Sequence, residues 1–154
     1  MYSTLLILHA VVRWLVVISL TTALGRSIYG YLNQRSFTRV DHILRHWTAT
    51  FAHIQLVMGV MLYMKSPLVQ YFWKNFSEAM QQLDLLFYAL IHSLTMLIGI
   101  VVLTIGSALA KRKQTDREQF KTMGLWFGMA FILFLVAIPW PFSFFAQRPF
   151  IRLF

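Results

Sequence analysis

Apolar residues run almost unbroken through four stretches of the chain, about residues 5–24, 47–64, 85–109 and 123–140, and the polar and charged residues gather between them. A hydrocarbon core about 30 Å thick takes about 20 mostly apolar residues at about 1.5 Å of helix rise each. Each stretch is close to that length. The pattern therefore predicts an all-α fold, an integral membrane four-helix bundle, with the whole chain, 1–154, as a single transmembrane domain. Between the second and third stretches, residues 66–84 read as an interfacial segment. The chain is expected to break at Pro67, pass the aromatic group Tyr71, Phe72 and Trp73, and start a short amphipathic turn capped by Asn75 or Ser77. Pro139-Trp140-Pro141 closes the fourth stretch at the same level.

Composition agrees with lipid as the main solvent. Of the 154 residues 58% are hydrophobic and 12% charged, and mean hydropathy is +0.63, against about 45 to 50% apolar and about 25% charged in soluble domains. The 14 Phe, 6 Tyr and 5 Trp exclude a disordered, solvating chain. Without cysteine there are no thiolate metal sites, disulfides or covalently attached c-type haem.

The net charge of +9 would point to nucleic acid only if it formed one soluble basic face. It does not. Arg26, Arg35, Arg39 and Arg45 lie between the first two stretches, and Lys111, Arg112, Lys113, Arg117 and Lys121 between the last two; Lys65, Lys74, Arg148 and Arg152 belong to the opposite side. Basic residues favour the cytoplasmic side of short loops, so nine against four predicts both termini outside, on the periplasmic side of a bacterial membrane. The first span is expected to remain in place, since no Lys or Arg precedes it as a signal peptide would require.

An ionisable residue inside a span is costly and marks a functional hypothesis. The set is His9 and Arg13 on the first span, His53 on the second and His92 on the third. Counting inward at about 1.5 Å per residue, His9 and His92 share a level at about 6 to 10 Å, Arg13 lies at about 12 Å and His53 about a turn deeper, at about 16 Å. Three histidines from three helices would then be a ligand set, with His92, His9 and His53 facing a haem iron or another metal. The bland alternative is helix-to-helix hydrogen bonding. Arg13 bears on the choice because none of the five acids, Asp41, Glu78, Asp84, Asp116 and Glu118, falls in a span. Its counter-charge would be Asp84 reaching inward, or a group outside the chain such as a haem propionate, which Arg binds bidentately. Gly99, seven residues after His92, reads as room for a porphyrin edge. Gly124 and Gly128 read as a helix-packing pair, and Met58, Met61 and Met64 as packing or, less simply, thioethers for Cu(I).

At His9-Ala10-Val11-Val12-Arg13-Trp14, and at Ile91-His92 followed by a basic loop, the chain resembles small four-helix membrane haem proteins. These include proteins of cytochrome b type and the group joining copper-resistance D membrane domains with bacterial haem-binding protoporphyrinogen oxidases. The resemblance implies haem b, a bacterial inner membrane, and histidine ligands at His9 and His92. The oxidases carry a lysine two residues after the third-span histidine, where this chain has Leu94, which weighs against porphyrinogen oxidation. His53 lies outside the oxidase pattern and stands as an alternative second ligand. The expected function is electron transfer by a b-type cytochrome, with quinol or another membrane redox protein as partner. A cofactor-free accessory subunit of a membrane complex and a porphyrinogen oxidase are the alternatives.

Overall fold

The computed structural model describes residues 2–141, so Arg148 and Arg152, counted above for topology, lie outside the described residues. Every element among the described residues is helical, in the order α1 (Tyr2–Leu32), α2 (Arg39–Lys65), α3 (Pro67–Lys74), α4 (Phe76–Ala79), α5 (Leu83–Leu86), a π-helical turn (Phe87–Ile91), α6 (His92–Arg112) and α7 (Asp116–Ala137). Four helical runs, Tyr2–Leu32, Arg39–Lys65, Leu83–Arg112 and Asp116–Ala137, are long and apolar enough to cross a membrane.

Local sequence explains the ends. Gln34, in the left-handed region at φ 49°, reverses the chain after α1, and the Arg35 amide closes the helix end by donating to the Gly30 carbonyl at 3.1 Å. At the start of α2 the Asp41 carboxylate accepts from the Thr38 amide at 2.9 Å and hydroxyl at 2.6 Å. Its other oxygen takes the Arg26 guanidinium at 2.7 Å, which ties α1 to α2. Thr115 caps α7 by accepting from the Glu118 amide, and Asp116 and Glu118 set negative charge at that positive helix end.

The long helices form a closed ring: α1 packs on α2 and α7, and α6 packs on α2 and α7. Leu20 and Ala23 of α1, Ala52 of α2, Leu103 of α6, and Met123, Phe127 and Ala130 of α7 fill its axis. The outward faces are apolar too, with Ile18, Val57, Ile98 and Ile132 exposed. That is the reverse of a soluble bundle, whose outer stripe is polar. A smaller cluster of Phe72, Ala79 and Ala89 packs α3 and α4 against the π turn, next to the start of α6.

Two expectations are corrected. The proline at 67 opens a helix instead of breaking one: its missing amide costs nothing at the first helical position, and Ser66 caps the segment. The aromatic group therefore sits inside α3, where Phe72 is buried while Tyr71 and Trp73 are exposed, and Asn75 gives its side chain to the Tyr71 carbonyl instead of capping α4. The segment between the first two apolar stretches is also no open loop, since α1 and α2 run through most of it.

Candidate functional site

His9 and Arg13 stand four residues apart on α1 and so share a face. The His9 ring lies against Gly59 of α2, where an added Cβ would sit 3.4 Å from its Cε1, and the Gln55 amide donates to the His9 carbonyl at 3.0 Å. One turn further along α2, the Tyr63 hydroxyl donates to the carbonyl of Ala89, three residues before His92. These contacts bring His9 to within about one helical turn of the level of His92. His9, Arg13 and His92 lie within electrostatic reach of one another, as the sequence spacing anticipates for these three.

His92 begins α6, and its amide donates to the Phe87 carbonyl five residues back, which closes the π turn. Such turns occur frequently at functional sites because the extra residue re-aims the side chains around it. Tyr63 braces the turn and in turn accepts from the Trp73 indole at 3.0 Å, which connects α3 to the same carbonyl. The His92 ring approaches the carbonyl of Ala137, at the end of α7, at 2.7 Å through Nδ1. A carbonyl can only accept, so Nδ1 carries the proton, and in the neutral ring Nε2 keeps its lone pair. Phe87 and Tyr88 flank the ring at 5.8 and 6.4 Å between centroids. The Arg13 guanidinium lies 5.6 Å from the centre of the Trp14 ring, whose edge meets Trp140 at 6.1 Å.

His53 is elsewhere. Its Nε2 pairs with the hydroxyl of Thr104 at 3.0 Å. Thr104 is twelve residues beyond His92 on the same helix, a separation of about 18 Å along the axis. His53 and His92 therefore do not converge, and among the described residues no group of three or more His, Asp or Glu gathers closely enough to hold a metal ion. What the structure brings together is a pair of histidines with one arginine.

Gly99 does not open a slot either. A Cβ there would run into the Phe134 ring, so the missing side chain admits an aromatic from α7. Gly124 faces Ser27 and Gly128 faces Leu24, which is the helix packing their spacing predicts. Asp84 is exposed, and so are Met61 and Met64.

Several polar residues escaped a search restricted to ionisable side chains within the spans. Gln55 and Thr104 are uncharged, yet they hold His9 and His53. Arg45, assigned to a loop by its neighbours, is 7% exposed and donates through Nη1 to both the carbonyl (2.8 Å) and the hydroxyl (2.7 Å) of Ser107. Its signal was present in the spacing, since Arg45, Thr48, Ala49 and Ala52 fall on one helical face.

No family model, no curated protein and no solved structure matches this chain.

Proposed function

We propose that the chain is an integral membrane b-type cytochrome, with both termini on the outer side and the two basic segments on the cytoplasmic side of a bacterial inner membrane. His92 and His9 would hold the haem iron. The observation that carries the reading is the 2.7 Å contact of His92 Nδ1 with the Ala137 carbonyl. Histidines that ligate metals almost always donate their second ring nitrogen to a carbonyl, carboxylate or water, which fixes the tautomer and aims the free lone pair.

His9 supports the same reading. Its Nδ1 is buried without a hydrogen-bond partner, and an unsatisfied buried polar atom costs about 1–3 kcal/mol. A ligand from outside the chain would remove that cost. Arg13, one turn from His9 and in the field of His92, supplies the cation that a haem carboxylate pairs with. The residues present thus fit a bis-histidine haem in donor type and charge, although not at the Gly99 slot, which Phe134 fills.

When bound, haem supplies one-electron redox chemistry. The chain's own work is to orient two imidazoles, neutralise a carboxylate, and surround both with apolar side chains that exclude water. The π turn, braced by Tyr63, sets where His92 points.

Haem content of the purified protein, measured against its peptide absorbance, tests the ligand assignment. The unaltered chain is expected to carry about one haem per chain, and His92→Ala and His9→Ala each to lose most of it while retaining helical circular dichroism. Full haem content in both variants would refute the assignment.

A further inference from the structure

Between α2 and α6, on the outside of the bundle, a groove of about 240 Å³ is lined by His53, Leu56, Leu97, Val101, Thr104 and Ile105. It lies away from the His9–His92 pair, near the middle of α2, about 18 Å from the Lys65 end and about 21 Å from the Arg39 end. In a membrane that is the hydrocarbon centre, beyond the reach of headgroups and bulk water.

The groove has one polar feature, and its hydrogen-bonding sense can be worked out. The Thr104 hydroxyl lies 2.7 Å from the Ile100 carbonyl, which can only accept, so the single hydroxyl proton goes there. Towards His53 the same oxygen is then an acceptor, and His53 Nε2 must carry the proton that joins them at 3.0 Å. In the neutral ring this leaves Nδ1 as a bare acceptor on an exposed side chain. A helix-to-helix bond accounts for Nε2. It accounts neither for Nδ1, placed where no water can satisfy it, nor for the open groove beside it.

We propose that this groove binds the ring of a lipophilic hydroquinone, one hydroxyl of which donates to Nδ1 of His53. The acceptor selects a donor, so the hydroquinone is favoured over the corresponding quinone. The volume falls below the about 300–1,000 Å³ usual for drug-sized ligands, which suits one substituted ring with its tail lying along the lipid. The apolar lining of Leu56, Leu97, Val101 and Ile105 packs against the ring faces. A single-chain alcohol offers the same hydroxyl without filling the groove. The inference needs no haem and stands whether or not His9 and His92 hold one.

The test uses purified protein in phosphatidylcholine nanodiscs under argon, with histidine labelled by nitrogen-15 and the His53 signal assigned by its absence in His53→Phe. The probes are a ring-substituted hydroquinone with a decyl tail, its dimethyl ether, the matching quinone, and decanol. The hydroquinone is expected to shift the His53 Nδ1 signal saturably and to bind at least tenfold more tightly than each of the other three. Leu97→Phe, which fills the groove without touching the His53–Thr104 bond, is expected to abolish the shift. Equal binding of the hydroquinone and its ether, an unmoved His53 signal, a decanol response as strong as the hydroquinone's, or full binding in Leu97→Phe would each overturn the proposal. The ether comparison needs no variant, so misfolding cannot mask the result.

Discussion

His53 and His92 are the same residue type in adjacent spans, and what separates them is the partner each finds. His92 gives its Nδ1 proton to a backbone carbonyl and keeps a lone pair on Nε2; His53 gives its Nε2 proton to a threonine and keeps one on Nδ1. The sequence carries the rarity of such residues and the His9–Arg13 spacing, and these sufficed to find the cluster. It does not carry helix-to-helix register, and for that reason depth counted from span ends put His53 within about a turn of His92. Gly99 failed for a related reason: sharing a helix face with His92 says nothing about which neighbouring side chain occupies the space. Two substitutions follow at this scale. Gly59→Leu, which drives a branched side chain at the His9 ring, is expected to lower haem content several-fold, whereas Gly59→Ala, whose Cβ meets His9 at an ordinary 3.4 Å, keeps most of it; haem-to-protein absorbance ratios decide. Gly99→Leu is expected to destabilise the fold by about 1–3 kcal/mol through overpacking against Phe134, read as a lowered unfolding midpoint in detergent.

Among the elements, the ends of the helices were the least legible part. Hydropathy falls off at Arg26 and recovers at Trp47, yet α1 continues to Leu32 and α2 starts at Arg39. The charged stretch forms helix because its polar groups satisfy one another: Asp41 caps α2 and binds Arg26, and Arg45 reaches Ser107 on α6. Hydropathy cannot register such pairings. The Asp41 side chain is 1% exposed and that of Arg26 44% exposed, so the two ends of the ion pair differ in worth. Asp41→Ala removes a cap and leaves its donors unmatched, and is expected to cost about 2 kcal/mol. Arg26→Ala is expected to cost less than about 1 kcal/mol, in keeping with a partly solvated pair. Denaturation of both variants and the double variant in one detergent checks the order, and a larger loss for Arg26→Ala would contradict it.

For the molecule as a whole, four spans were readable because each is apolar over its full crossing length, and the ring of α1, α2, α6 and α7 follows from short connections between antiparallel neighbours. The absence of cysteine makes orientation directly measurable. Single cysteines at Gln34 and Gln114, beside the basic segments, are expected to resist a membrane-impermeant maleimide in intact cells and to react after permeabilisation. A cysteine at Gln81 is expected to react in both, and the opposite pattern would invert the topology. The haem assignment that organises the bundle around His9, Arg13 and His92 is tested most directly by a reduced-minus-oxidised absorption spectrum of the purified protein, supplied with haem during expression. The account predicts the sharp paired visible bands of a six-coordinate b-type cytochrome. A folded protein with no haem bands would contradict it.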